Sequence, residues 1–148
     1  MVRIYLDACC LNRPFDDQTQ ARIRLESEAV LIVLRRCQDQ EYEMVGSSAL
    51  EFELSRIPDV DRQTSVEGLL ALAAVTVGLT DEDLARAKTL EAFELVGIDA
   101  LHVALAESSR ADVFLTTDDR LLQKCSENSE MIRVKVANPV VWLTEVHE

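Results

Sequence analysis

The sequence predicts an α/β protein built on a mainly parallel central sheet. Short β-prone runs alternate with longer helical stretches along the whole chain, and no repeat, low-complexity segment or linker interrupts them. Size agrees: 148 residues, 48% hydrophobic and 28% charged, suit a single domain over residues 1–148 whose core needs no staple.

Arg3 to Leu6 reads as the first strand, ending abruptly at Asp7. Cys9, Cys10, Leu11 and the nearby Pro14 do not read as helix, and Asn12–Arg13–Pro14 reads as a turn. A helix follows from roughly Thr19 to Arg36, its apolar stripe widening toward full burial. Tyr42 to Val45 is a second strand. Ser48 opens a helix with the capping-box pattern Ser48-Ala-Leu-Glu51, and that helix stops near Pro58 because the residue before a proline disfavours helical backbone. Asp61 to Ala73 is helical, and the β-branched run Val75 to Val77 is a strand. Thr80 starts a helix with Asp81, Glu82 and Asp83 in its first turn, where carboxylates suit the dipole. Gly97 breaks it, and Asp99 begins the next, through Ser108. Val113 to Leu115 is a buried strand, Asp118 to Cys125 a short helix, and Ile132 to Val136 the last strand. Val140, Val141, Trp142 and Leu143 close the core, or Trp142 anchors a partner.

Composition excludes several functions. The four glycines (46, 68, 78 and 97) cannot assemble a GxGxxG or GxxxxGK[ST] phosphate loop. A net charge of −12 argues against broad affinity for nucleic acid or anionic membrane, and favours a basic partner, a metal or plain solubility. Arg3 and Asp7 interrupt any secretory signal, and the run Leu69 to Leu79 falls short of the ~20 residues that span a bilayer. Cysteines at 9, 10, 37 and 125 show neither CxxC spacing nor a disulfide framework, so the expected setting is a reducing cytoplasm.

The acids carry the chemistry. Asp7 and Asp118 each follow a strand, and ligands of open parallel sheets bind beyond the carboxyl ends of the strands. Asp99 begins an apolar helix, as a cap or as a functional acid, and the same choice applies to Asp118. Glu51 and Glu53 diverge by about 200° on their helix. With Glu51 engaged in the capping box, Glu53 is the functional candidate, unless it pairs with Arg56. Carboxylates that converge repel one another, and a hard cation such as Mg²⁺ or Mn²⁺ relieves that repulsion and reconciles an acidic site with a phosphate substrate.

Four segments in order resemble the PIN-domain ribonucleases: Tyr5-Leu-Asp7, Ser48-Ala-Leu-Glu-Phe-Glu53-Leu, Gly97-Ile-Asp99-Ala-Leu-His-Val-Ala and Phe114-Leu-Thr-Thr-Asp118. The resemblance covers essentially the whole chain, and the N-terminal segment Tyr5 to Asp17 resembles one bacterial branch of the superfamily. It implies a three-layer α/β/α sandwich and a Mg²⁺- or Mn²⁺-dependent endoribonuclease that cleaves RNA. It also implies a VapC-like toxin held by a small antitoxin, and a homodimer. Carried over residue by residue, Asp7, Glu53, Asp99 and Asp118 match the family's acids, and Thr116 the hydroxyl residue beside the last of them. The register also allows Asp119 in place of Asp118. The chain departs from many relatives in having Ala8 and Cys9 after the first aspartate, where Thr or Ser and then Asn stand; Asn12 either supplies a polar group or caps its turn. Arg13, Arg56, Arg62 and Arg120 either furnish cationic surface or form surface ion pairs.

His102, three residues after Asp99, is either a ligand or proton shuttle, or a packed core histidine. His147 carries little weight. Zinc sites of HExxH or Cys/His type lack their spacing, and no histidine is placed to activate Cys9 or Cys10. Two other readings stand beside the nuclease. One is a catalytically weak PIN-like scaffold binding RNA or protein. The other is a phosphoacceptor using Asp16–Asp17 or Asp118–Asp119, which lacks a suitably placed lysine among Lys88, Lys124 and Lys135.

Overall fold

The computed structural model describes residues 1–146, so His147 lies outside the described residues. Five strands, β1 (Val2–Leu6), β2 (Tyr42–Ser47), β3 (Val75–Val77), β4 (Val113–Leu115) and β5 (Lys135–Ala137), form one sheet in the order β3-β2-β1-β4-β5. Every pairing is parallel. The helices are α1 (Ala8–Asn12), α2 (Ala21–Gln38), α3 (Ser48–Ser55), α4 (Val60–Leu70), α5 (Asp81–Glu91), α6 (Ile98–Ser108), α7 (Asp119–Glu127) and α8 (Pro139–Val146). They cover the sheet in a three-layer α/β/α arrangement, with α2 packed on α8 and α5 on α6. None of the described helices is long and apolar enough to cross a membrane.

Position in the sheet explains the strands' composition. Ile4, Tyr5 and Leu6 on β1 and Phe114 and Leu115 on β4 are completely buried, as central parallel strands covered on both faces must be. The edge strands β3 and β5 are only three residues long and partly exposed, which limits edge-to-edge pairing. The last strand begins later than its apolar run suggests. Ile132 and Val134 are buried outside the ladder, and Lys135 is the first residue to pair, opposite Val113. Trp142 is buried from α8, edge-on to Tyr42 at 5.6 Å, so it closes the core.

Two local expectations are corrected. Asp7 is followed at once by a helix, and its Oδ1 accepts the Ala8 N–H at 2.8 Å as the N-cap of α1. Burial outweighs the weak helix propensity of Cys9, Cys10 and Asn12: Ala8, Cys10 and Leu11 are all inside. The cap of α3 is Ser47, not Ser48: Ser47 Oγ accepts from Leu50 N at 3.1 Å, so Glu51 serves no capping box. Ser48 Oγ is buried with no hydrogen-bond partner among the described residues. The box over Thr80 to Asp83, by contrast, closes in both directions. Gly97 initiates α6 at φ 55° and ψ −122°, backbone that disfavours any side chain.

Replacing Ser47 by Ala is expected to destabilise the fold by about 1–2 kcal/mol, through loss of the cap. Ser48→Ala is expected to leave stability unchanged or raise it, since it deletes an unsatisfied hydroxyl. Urea denaturation of both variants checks this; the reverse order of stabilities would refute the assignment of the cap.

Candidate metal centre

The chain runs outward from β1 through β2 to β3, then returns to place β4 on the other side of β1. Such a reversal opens a crevice at the carboxyl ends of the two strands. Asp7 leaves β1 there, with its backbone N–H donating to Leu115 O at 2.9 Å. Across the crevice, Thr116 Oγ1 donates to Asp7 Oδ2 at 2.8 Å and accepts the Asp118 N–H at 3.1 Å. Cys9 Sγ lies 3.4 Å from Asp7 Oδ2 and 3.3 Å from Thr116 Oγ1, and takes the Thr117 N–H at 3.4 Å. The thiol therefore packs against the acid as a polar neighbour. Cys10 is wholly buried, donates to Leu115 O, and burial pushes its thiol well above the usual value, which makes it inert.

Asp7 and Glu53 approach each other from β1 and α3. With His102 of α6 they form a group whose ligand atoms all lie within 4.8 Å of one another. Glu53 Oε1 is 2.7 Å from His102 Nε2, so its neighbour is that imidazole and not Arg56, which stacks 5.6 Å above the Phe52 ring. Asp99, at the start of α6, makes no side-chain hydrogen bond among the described residues, and so is no cap. Asp118 does cap α7, through Arg120 N at 3.0 Å and Leu121 N at 3.2 Å, while lining a cavity of about 110 Å³ together with Asp99.

Electrostatics joins the acids into one group. Burial raises Asp7 above the ordinary carboxylate range, against the pull of His102 and the Thr116 hydroxyl, and Glu53 raises it further. Asp99 is pushed from 3.8 to about 6, first by burial and then by the charges of Asp7 and Asp118. Among the described residues, no Lys or Arg forms an ion pair with Asp7, Glu53, Asp99 or Asp118. Acids elsewhere are neutralised: Glu26 by Arg13 and Arg22, Asp16 by Arg13 and Arg62, Glu107 by Arg86. A set of oxygen donors without a protein cation fits a hard divalent ion.

Other sequence candidates fall away from this group. Asp119 is gripped by both Arg22 nitrogens, at 2.7 and 2.6 Å. Asn12 donates to Ala8 O and accepts from Arg62. Arg13 and Arg62 are held in ion pairs, whereas Arg120 lines the Asp99–Asp118 cavity near Glu94, without a side-chain hydrogen bond or ion pair among the described residues. The sequence underweighted His102, whose apolar neighbours hide a fully buried polar contact. Glu26, buried beneath two arginines and Asn138, carried no sequence signal at all.

The fold and the acids at its crevice place the chain in a class of α/β proteins with a parallel five-stranded sheet and an acidic crevice. The chain belongs to the PIN domain family, whose model matches residues 4–127. Among solved structures it is similar to a chain of the crystal structure of VapBC2 from Rickettsia felis bound to a DNA fragment from their promoter. That match has a TM-score of 0.56 and 11% identity, and covers 93% of this chain and 98% of the other; it shows a shared fold. No curated protein matches the chain.

The raised proton affinity of Asp99 gives a signed expectation. The folded protein holds this proton more tightly than the unfolded chain, so the contribution is present below the ordinary carboxylate value and is lost as pH rises through about 6. In metal-free buffer, Asp99→Asn is expected to be more stable than the parent by about 1–2 kcal/mol at pH 7.5, after screening, and equal to it at pH 4. Urea titrations at the two pH values check this.

Proposed function

We propose that this protein is a divalent-metal-dependent endoribonuclease that hydrolyses RNA phosphodiester bonds, acting in the cytoplasm as the toxin of a toxin–antitoxin pair. The observation that carries the reading is the meeting of Asp7 and Glu53 at the sheet crevice of a PIN domain, with Asp99 and Asp118 lining one cavity and none of the four in an ion pair with Lys or Arg among the described residues; members of that family are typically nucleases. Asp7, Glu53, Asp99 and Asp118 would hold Mg²⁺ or Mn²⁺. The ion supplies Lewis-acid polarisation of the phosphoryl oxygen and activation of water.

The protein's own residues then have distinct tasks. Thr116 and the Ala8 N–H fix both oxygens of Asp7, and His102 fixes one oxygen of Glu53. Asp118 is held by its backbone bonds at the mouth of the cavity. Arg120, in that same lining, meets a substrate phosphate beside the acids and offsets locally the repulsion set by a net charge of −12. The similarity to a VapBC2 chain supports a small antitoxin as partner. A homodimer, and one working unit over residues 1–148, complete the reading.

Purified protein, free of any partner, is expected to cleave members of a structured-RNA panel with Mg²⁺ or Mn²⁺ and to stop with chelator. Asp7→Asn should lower the rate at least about 100-fold. Folded protein that cleaves nothing but binds RNA equally well with and without these changes would replace the nuclease by a binding scaffold. Arg120→Ala is expected to raise KM about fivefold with little change in kcat, reflecting one lost phosphate contact.

A further inference from the structure

A chain of short hydrogen bonds runs beneath the acids. Ser47 Oγ accepts the Leu50 N–H at 3.1 Å and lies 2.7 Å from Tyr5 Oη. Tyr5 Oη lies 2.7 Å from His102 Nδ1, and His102 Nε2 lies 2.7 Å from Glu53 Oε1. Ser47, Tyr5 and His102 are each 0% exposed, so water does not complete these bonds.

The polarity of the chain follows from its two ends. The Leu50 N–H can only donate, so Ser47 Oγ accepts there and still has a proton to give, for which the Tyr5 oxygen is the acceptor at hand. A tyrosine phenol is protonated at neutral pH and passes its proton to the lone pair of His102 Nδ1. An imidazole that accepts at Nδ1 carries its proton on Nε2, facing a carboxylate that only accepts. Run the other way, the chain would set the Nε2 lone pair against Glu53 and strand the Ser47 proton. For a neutral ring, one direction satisfies every group.

We propose that Ser47, Tyr5 and His102 form a buried strut that locks His102 as the Nε2–H tautomer and makes it a positioning residue for Glu53, not a metal ligand. The inference rests on the metal-site reading above. Its consequence is chemical selectivity. Although Nε2 sits within reach of one ion together with Asp7 and Glu53, and 4.0 Å from Asp7 Oδ1, it has no lone pair to give. The ion then meets oxygen donors alone, which suits Mg²⁺ and Mn²⁺, whereas an imidazole ligand would favour zinc. The strut also joins the elements that deliver three acids: β1 with Asp7, the junction of β2 and α3 with Glu53, and α6 with Asp99. Phe114 of β4 stacks on Tyr5 at 5.4 Å and 27°, packing the fourth element against it.

Nitrogen-15 NMR of histidine-labelled full-length protein tests this directly, with the His147 signals assigned through His147→Gln. The metal-free protein at neutral pH is expected to show His102 as the single Nε2–H tautomer. That proton should persist when Mg²⁺ saturates the site. An Nδ1–H tautomer, a doubly protonated ring, or loss of the Nε2 proton on Mg²⁺ binding overturns the proposal. If no Mg²⁺ binds, the metal-site reading fails, while the tautomer of the metal-free protein still decides on the strut. Tyr5→Phe keeps the ring and removes the relay. It is expected to yield mixed tautomers, about 3–10-fold weaker Mn²⁺ binding by calorimetry, and a several-fold higher ratio of zinc to manganese affinity. His102→Gln, which keeps an N–H donor, should retain more Mn²⁺ affinity than His102→Leu. A folded Tyr5→Phe variant with the parent's tautomer and Mn²⁺ affinity would show that the strut positions nothing.

Discussion

Because β1 pairs with β2 on one side and with β4 on the other, its carboxyl end opens onto the single reversal of strand order in the sheet. Asp7 sits at that end, and every other acid of the site is placed relative to it. The backbone bond from Asp7 to Leu115 and the side-chain bond from Thr116 to Asp7 hold the two strand ends in register. Asp118 follows within the same turn. Glu53 and Asp99 arrive on helices that pack over the crevice from elements before and after the crossover. Loss of the β1–β4 pairing would scatter the acids.

That convergence conflicts with stability. Burial and mutual repulsion raise Asp7 and Asp99 above the ordinary carboxylate range, and no lysine or arginine relieves them among the described residues. Elsewhere buried carboxylates are compensated: Glu26 receives two arginines and an asparagine, Glu107 a bidentate Arg86, and Asp83 the Thr80 N–H and hydroxyl. Carboxylates left without a cation at one crevice form a group that could hold a divalent ion.

The arginines make the same point from the other side. Most of those near the crevice in sequence are already bonded to surface or buried carboxylates, which is what an excess of acids imposes. Arg120, two residues after the capping Asp118, makes no ion pair among the described residues and lines the cavity with Asp99 and Asp118. A protein of net charge −12 can in this way present a cation beside its acids without a broad basic face.

Much of this was legible in the sequence. Alternating strand and helix signals determined an α/β fold, and positions after a strand or at a helix start singled out Asp7, Asp99 and Asp118, whereas Glu53 was singled out by a capping box that does not form. These features are local, set by periodicity, capping and chain direction, and a linear reading captures them. It failed where long-range packing outvoted local preference. Ala8 to Asn12 became helix because Cys10 and Leu11 find the core, and Ser47 took the cap from Ser48 because β2 runs two residues past Val45 and passes directly into α3, leaving Ser47 as the last extended residue. His102 looked like one more core residue, and only the fold brings Tyr5, 97 positions away, and Glu53, 49 positions away, onto its two nitrogens. Sequence alone fixed the kinds of donor present. Their hydrogen-bond partners, and with them which atoms stay free for a cation, were decided by tertiary structure, because that depends on distances between residues far apart in the chain.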